Sequence, residues 1–164
     1  AKGVALQRQV LDLGVLLADI VEQTQPLAQA KGLALTAQIA PDLECSVDPD
    51  AVTQIVLNLL DNGIKYTPSG QVRLSAHRVS KGRSSEIKIT VADSGPGIPP
   101  EHLPHICDRF YRVDRARSRE LGGVGLGLAI ARELACAHGG DIAVHSTLDE
   151  GSTFIVYLPD WPAA

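Results

Sequence analysis

The sequence has few aromatic residues, few cysteines and no excess of basic charge. Aromatic residues make up 4% of the 164 positions, so Leu, Ile, Val and Ala must build the core. Cys45, Cys107 and Cys136 are widely spaced without a C-x-x-C pair, which predicts free thiols rather than disulfides or zinc ligands. The formal net charge of −4 argues against a broad basic face that would bind the phosphate backbone of a nucleic acid. No apolar run approaches the length of a membrane span. We therefore expect no nucleic-acid partner and no direct membrane contact.

The length and balance of the chain are those of one globular domain. Apolar residues make up 45% and charged residues 21% of the sequence, as in soluble domains. A chain of this length leaves no room for a second core of ordinary size. We predict a single domain over residues 1–164.

The first part of the chain reads as a helix followed by a strand. Apolar residues recur at helical spacing over residues 15–31. Pro26 interrupts this stretch and should kink the helix or end its first half, and Gly32 is a plausible stop. Alternating apolar residues over 33–39 then predict a strand with one buried face.

A second helix and a hairpin follow. Asp48 can accept hydrogen bonds from free backbone donors, and Pro49 suits the first helical position. The helix should stop before Pro68. Two alternating strands come next, and the loop over residues 81–83 should join them as a hairpin.

The last part of the chain contains a long irregular segment and a closing hairpin. Residues 93–123 are rich in Gly, Pro and Arg without a clean period, which at this length favours a functional loop. A third helix is predicted over residues 124–137, and two strands close the chain. The fold class is therefore α+β, a two-layer sandwich with helices packed on one face of a mixed, mostly antiparallel sheet.

The first motif lies on the second predicted helix. Asn58, Asn62 and Lys65 are four and then three residues apart, so they share one face. An amide oxygen can coordinate Mg²⁺, a lysine can meet phosphate oxygens, and Tyr66 offers a flat ring to a base. The alternative is a polar surface stripe on an amphipathic helix, although asparagine does not favour helix interiors.

The second motif, Asp93-Ser94-Gly95-Pro96-Gly97-Ile98, directly follows a strand. Glycine allows a sharp turn and lets a ligand approach the backbone. A carboxylate at the strand end could accept from the amino group of adenine, whereas guanine presents an acceptor at the matching position. An ordinary tight turn is the alternative.

The third motif is Gly122-Gly123-Val124-Gly125-Leu126-Gly127-Leu128, at the start of the third helix. Backbone donors bared by glycine at a helix start suit phosphates, and a flexible hinge is the alternative. The arginines just before it are expected to form mostly a solvated face, with one or two contacting phosphates. They are Arg109, Arg112, Arg115, Arg117 and Arg119.

Together these motifs resemble one family, the sensor histidine kinases. The asparagine helix resembles their N box, residues 93–98 resemble the first glycine box, and residues 108–114 resemble the F box. Residues 122–128 are similar to the second glycine box, and residues 151–153 to the last short element before a closing strand. The resemblance covers residues 12–159 and implies the ATP-binding catalytic domain of a two-component kinase, in the fold shared with gyrase and mismatch-repair ATPases.

The resemblance also implies cofactors and site residues. Asn62 would hold Mg²⁺ with Asn58 nearby, and residues 108–123 would form the ATP lid, weakly ordered without nucleotide. The implied nucleotide contacts are Asn58, Asn62, Lys65, Tyr66, Asp93, Gly95, Gly97, Ile98, Tyr111, Arg112, Gly123, Val124, Gly125, Leu126, Gly127 and Thr153. Val124 stands where the family often has threonine. Gly63 stands where it often has alanine, a change we expect to be tolerated.

The sequence also bears on the chemistry. Related ATP hydrolases carry a glutamate where this helix has Asn58, whose neutral amide cannot act as a general base. The chain is thus expected to transfer the γ-phosphate of ATP with little hydrolysis. No histidine here has the acidic neighbour and later proline of the family's acceptor helix, and His138 reads as a cap or surface residue.

We therefore expect the phospho-acceptor on a dimerisation domain of the same parent protein, preceding Ala1. A response regulator would act downstream, and the parent would resemble an inner-membrane sensor with this domain in the cytoplasm. Two alternatives remain: a serine/threonine kinase of the same fold, such as an anti-sigma factor, and a non-catalytic module that senses nucleotide.

Overall fold

A computed structural model describes residues 5–111 and 127–160. Within these residues, strands, α-helices and a 3₁₀ helix follow one another. In order they are β1 (Gln9–Asp12), α1 (Leu13–Ala30), β2 (Ala34–Ile39), β3 (Glu44–Val47), α2 (Pro49–Tyr66), β4 (Gln71–Lys81), β5 (Ser84–Asp93), the 3₁₀ helix (Pro100–His105), α3 (Gly127–Ala137), β6 (Asp141–Thr147) and β7 (Gly151–Pro159).

A five-stranded sheet forms one layer of the structure. Its strand order is β2-β4-β5-β7-β6, with β2 parallel to β4 and the other neighbours antiparallel. The prediction of a mixed, mostly antiparallel sheet is confirmed. β1 and β3 form a separate antiparallel pair.

The helices pack on one face of this sheet. Alternate side chains of the three central strands are buried on that face. They are Val72, Leu74 and Ala76 of β4, Ile87, Ile89 and Val91 of β5, and Phe154, Val156 and Leu158 of β7. Helix α2 contacts α1, α3, β4 and β5, so it lies at the centre of the helical layer. This arrangement confirms the predicted α+β sandwich.

The ends of α2 follow the sequence signals. The Asp48 side chain accepts from the amides of Asp50 at 3.0 Å and Ala51 at 3.2 Å, and Pro49 is the first helical residue. The helix ends at Tyr66, and Thr67 is extended before Pro68. These ends fix which residues of α2 reach the site described below.

Two features of the first forty-seven residues differ from the predictions. Pro26 does not end α1, which continues to Ala30. Pro26 and Glu22 are both on the exposed side of the helix, so water can serve the carbonyl that loses its intrahelical donor. Strands β1 and β3 were not predicted, since each has only four residues, and the alternation of buried and more exposed residues in β3 is too short to indicate a strand.

The last elements of the chain form as the sequence predicts, apart from the burial of one histidine. The β4–β5 hairpin turns at Gly82, which has a φ of 60°, and β6 pairs with β7. The predicted start of the third helix at Val124 lies outside the described residues. His138 directly follows α3 and its amide bonds the last turn of that helix, as predicted for a cap, but it is 1% exposed and so does not lie at the surface. In the described parts of the chain, no helix is long and apolar enough to cross a membrane.

Candidate functional site

The polar face of α2 forms one side of the candidate site. Asn58, Asn62 and Lys65 are each half-buried, between the solvent and the apolar stripe that faces the sheet. The amide nitrogen of Asn58 donates to the carbonyl of Gly127 at 3.0 Å. Since Gly127 is the first residue of α3 and belongs to the glycine-rich motif over residues 122–128, this bond ties the middle of α2 to the end of that motif.

One turn further along α2, Asn62 and Lys65 have different surroundings. The Asn62 amide has no hydrogen-bond partner among the residues that the structure describes, which leaves its oxygen able to coordinate a cation. Lys65 Nζ lies 3.1 Å from a carboxylate oxygen of Asp61. Asp61 is half exposed, and a surface pair of this kind contributes little stability. Lys65 can therefore exchange Asp61 for a phosphate oxygen at low cost.

Asp93 ends β5 and forms the next wall of the site. Its Oδ1 accepts from the amide of Gly95 at 2.9 Å and from that of Ser152 at 3.2 Å. Oδ2 lies 3.9 Å from the position that a Cβ on Gly63 would take. The carboxylate is thus held by backbone donors on one oxygen, and its other oxygen is directed to α2 beside Asn62.

Burial dominates the electrostatics of Asp93. The pKa of this carboxyl is raised above its ordinary value because burial disfavours the charge, and the Gly95 and Ser152 amides offset only part of that effect. Within the described residues Oδ2 has no hydrogen-bond partner. A ligand group that donates to Oδ2 would relieve this unfavourable burial, so the site is suited to a hydrogen-bond donor.

The loop after Asp93 lies so close to neighbouring elements that two of its positions, Gly95 and Gly97, have no room for a side chain. A Cβ on Gly95 would lie 3.0 Å from both Asp93 Oδ1 and Thr67 Oγ1 and 3.1 Å from the Tyr66 carbonyl. Gly97 has a φ of 78°, and a Cβ there would lie 2.4 Å from the Thr147 carbonyl. These two glycines let the loop pass between the end of α2 and the β6–β7 turn.

Two serines that the sequence analysis did not select hold this loop in place. The amide of Ile98 donates to Ser146 Oγ at 2.7 Å, and Ser146 Oγ donates to the Gly151 carbonyl at 3.1 Å. Ser152 Oγ lies 3.0 Å from Ser146 Oγ. Strand alternation from the buried Phe154 would have placed Ser152 on the helix side of β7.

Thr153, the predicted contact from this strand, is placed differently. It pairs with Ala92 and His145 across the sheet, and the alternation puts its side chain on the face opposite Ser152 and Phe154. The structure therefore does not bring the Thr153 side chain together with Asp93. Within the Gly151-Ser152-Thr153 element, Ser152 holds the Asp93 carboxylate through its backbone amide.

Tyr111 is held by the 3₁₀ helix. Its hydroxyl forms a hydrogen bond with Nδ1 of His102, and its ring centroid is 5.5 Å from that of His105. The His102 side chain is 24% exposed. Arg109 pairs with Glu133 of α3 at 3.3 Å, a partner that the sequence did not indicate.

Several predicted site residues cannot be placed. Residues 112–126 lie outside the described residues, and with them most of the predicted lid and the contacts Arg112, Gly123, Val124, Gly125 and Leu126. Tyr66 and Gly127 are both described. Helix α2 contacts the start of α3 at its middle, through Asn58 and Gly127, and the loop after β5 at its C-terminal end.

The chain belongs to a known family of ATPases. Residues 47–162 match the family described as "Histidine kinase-, DNA gyrase B-, and HSP90-like ATPase". This match covers α2, β5, α3 and the closing hairpin, which are the elements that carry the candidate site. The resemblance to sensor histidine kinases is confirmed, and the chain is a catalytic domain of the histidine-kinase type.

Curated relatives are sensor kinases. The sensor histidine kinase WalK of Bacillus subtilis is 42% identical over 130 residues, and the adaptive-response sensory kinase SasA of Synechococcus is 41% identical over 150 residues. These alignments cover 75% and 90% of this chain, but only 21% and 38% of the relatives. The chain thus spans well under half the length of these proteins.

Solved structures share the fold. Full-length ShkA in complex with AMPPNP superposes with a TM-score of 0.86 and 31% identity, covering 100% of this chain and 34% of that one. The nucleotide-free catalytic domain of ThkA superposes with a TM-score of 0.81 over 94% of this chain and 97% of that one. The two sequences are 23% identical, so this likeness shows a shared fold and nothing more.

Proposed function

We propose that this chain binds Mg-ATP between α2, the Asp93 loop and the start of α3, and transfers the γ-phosphate to a histidine outside the chain. The observation that supports it most is the state of Asp93. A half-buried carboxylate with one oxygen fixed by two backbone amides, and the other without a partner among the described residues, suits the 6-amino group of adenine. Guanine would present a carbonyl oxygen there, and leaving the charge unpaired costs about 1.5–3 kcal/mol.

The base would lie on the loop that the glycines and serines shape. Gly95, Gly97 and Ile98 form this loop, and the pairing of Ile98 with Ser146 fixes its path. Tyr66 would flank the base at the end of α2. Ser152 belongs to this assignment through its amide on Asp93, whereas the Thr153 side chain is on the other face of β7.

The triphosphate and metal would lie further along α2. Within the described residues no group of three or more His, Cys, Asp or Glu side chains could hold a metal, so an ion here would depend on amide and phosphate oxygens. The unpaired Asn62 amide fits Mg²⁺, which favours few protein ligands plus phosphates. Asn58 already donates to Gly127 through its nitrogen, which leaves its oxygen for a water of the ion. Lys65 would leave Asp61 for a phosphate.

The residues of this chain would act by positioning. Mg²⁺ would neutralise charge on the phosphates when bound. Asn58 stands where a hydrolase needs a proton acceptor, and its amide is engaged with Gly127, so no group there can deprotonate water. Phosphoryl transfer depends mainly on alignment and electrostatic stabilisation. The proton of the acceptor histidine would be removed by groups that accompany the acceptor.

The same proposal includes the partners and the location of the longer parent protein. The acceptor histidine would lie on the parent's dimerisation domain, a response regulator would receive the phosphate, and the parent would be an inner-membrane sensor with this domain in the cytoplasm. The acceptor domain and the regulator are supported by relatives that are named sensor kinases or sensor proteins and are longer than this chain, whereas the inner-membrane location is a prediction from the family resemblance alone.

A phosphotransfer assay tests the proposal. The 164-residue chain is incubated with γ-labelled ATP, Mg²⁺ and a separately purified dimerisation domain from a related kinase, and with the acceptor His→Gln variant as control. We expect acid-labile, base-stable phosphate on the histidine-bearing acceptor only, with slow release of free phosphate. Acid-stable phosphate on the acceptor would indicate a serine/threonine kinase. Binding of ATP without phosphate transfer would indicate a nucleotide-sensing module.

A further inference from the structure

One buried polar side chain near the site has no hydrogen-bond partner among the residues that the structure describes. Thr67 is 0% exposed, and its Oγ1 forms no hydrogen bond within the described part of the chain. Burial of an unpaired hydroxyl is unfavourable. Thr24 shows the usual arrangement: it is 2% exposed, and its hydroxyl donates to the Ile20 carbonyl at 2.7 Å. The unpaired hydroxyl of Thr67 therefore needs a partner that residues 5–111 and 127–160 do not supply.

The position of Thr67 indicates what that partner is. Thr67 directly follows α2, where the helix meets the loop after Asp93. Thr67 Oγ1 and Asp93 Oδ1 each lie 3.0 Å from the position that a Cβ on Gly95 would take. Because Gly95 has no side chain, the hydroxyl and the carboxylate border the same small space.

We infer that Thr67 is a further base-binding residue, whose hydroxyl serves ring nitrogen N1 of adenine directly or through one water. This inference rests on the proposed ATP site, because it takes the amino group of adenine to bind Asp93. N1 is an acceptor next to that amino group on the edge of the ring. A donor beside the carboxylate is therefore in the right place for it.

The two groups would contribute differently to recognition. The carboxylate only accepts hydrogen bonds, so it favours the amino group of adenine over the carbonyl of guanine. A hydroxyl can donate or accept, so Thr67 can serve N1 of adenine or the N1–H of guanine. Thr67 would raise affinity for purines, and Asp93 would select among them.

The test compares Thr67→Val with the matched control Thr24→Val, using calorimetric titration with Mg-ATP and thermal unfolding. Valine has nearly the same shape and suits the extended backbone of residue 67. We expect T67V to bind Mg-ATP about three- to tenfold more weakly, as for the loss of one hydrogen bond. Its Tm should be equal or higher, since an unpaired buried group is removed. T24V should bind as the unmodified chain does.

A nucleotide without N1 separates a contact from an indirect effect. We expect 1-deaza-ATP to bind the unmodified chain more weakly than ATP does, and T67V to bind the two nucleotides with equal affinity. Unchanged ATP affinity of T67V, a lowered Tm, or the same 1-deaza penalty in both proteins would overturn the inference. Failure of the unmodified chain to bind ATP would instead refute the proposed function.

Discussion

At the scale of single residues, the site depends on backbone positions that only glycine can take. Gly97 has both a positive φ of 78° and a neighbouring carbonyl 2.4 Å from a would-be Cβ. Gly63, in contrast, is inside α2, where a Cβ would meet Val72 Cγ1 at an ordinary 3.4 Å. The two glycines therefore predict opposite responses to the same substitution.

Gly97→Ala should destabilise the chain, and Gly63→Ala should not. A left-handed conformation costs an alanine about 1–2 kcal/mol, and the contact with Thr147 adds to that at residue 97. In a helix, alanine is favoured over glycine by about 0.5–1 kcal/mol, so G63A should be slightly more stable. Urea unfolding of both variants measures this, and a G97A chain as stable as the unmodified one would contradict the loop geometry.

At the scale of elements, the ends of α2 are held by residues from its two neighbouring helices. Lys31, at the end of α1, donates from Nζ to the carbonyls of Ile64 at 2.5 Å and Lys65 at 2.9 Å, as a cation suits a helix C-terminus. At the other end, His138 after α3 accepts at Nε2 from the amide of Asp48 at 3.2 Å. Helix α2 is thereby clamped between α1 and α3.

The His138 contact predicts a pH dependence of stability. Nδ1 bonds the Leu134 carbonyl at 2.9 Å while Nε2 accepts, so the ring must be neutral with its proton on Nδ1. Burial lowers the pKa of His138 below the ordinary 6.5; the Leu134 carbonyl and Asp48 oppose this shift, and Arg8 adds to it. The unfolded chain then binds a proton that the folded chain resists, so stability falls as pH drops below about 6.5.

Thermal unfolding as a function of pH checks this expectation. The Tm should be flat above about pH 6.5 and fall below it, levelling once His138 is protonated in both states. The Asp48 carboxyl, whose pKa is lowered mainly by the Gln7 amide, adds a loss only at more acidic pH. His138→Gln should weaken the fall near pH 6, whereas the exposed His145→Gln should retain it. An identical profile in both variants would refute the role of His138.

Sequence patterns predicted elements well where local chemistry decides them. The α2 ends follow from Asp48, Pro49 and Pro68, and the β4–β5 hairpin from two alternating strands around Gly82. β1 and β3 escaped prediction because four residues carry too little pattern and pair across distant parts of the chain. Of the two effects predicted for Pro26, a kink or an end of the first half of α1, the end is wrong, since α1 continues to Ala30. Which side of the helix faces water decides this, and the local sequence does not settle it.

At the scale of the whole molecule, the sheet joins parts of the site that are distant in sequence. Asp93 is next to Ser152 because β5 pairs with β7, and the loop after β5 is fixed by Ser146 of β6. The motifs indicated Asp93 and the α2 asparagines. Ser146, Ser152 and Thr67 could not be selected, since their importance arises from tertiary neighbours rather than from a local motif.

The central claim is that the Asp93 carboxylate accepts a hydrogen bond from the 6-amino group of adenine and thereby selects ATP over GTP. Calorimetric titration of the chain with ATP and GTP in Mg²⁺, repeated on Asp93→Asn and on the exposed control Asp19→Asn, tests it most directly. Asparagine keeps an oxygen for the Gly95 and Ser152 amides, so D93N should fold.

We predict that the unmodified chain and D19N bind ATP at least about tenfold more tightly than GTP, as the loss of a charged hydrogen bond implies, and that D93N loses this preference. Equal binding of ATP and GTP by the unmodified chain, or an undiminished preference in D93N, would contradict the account.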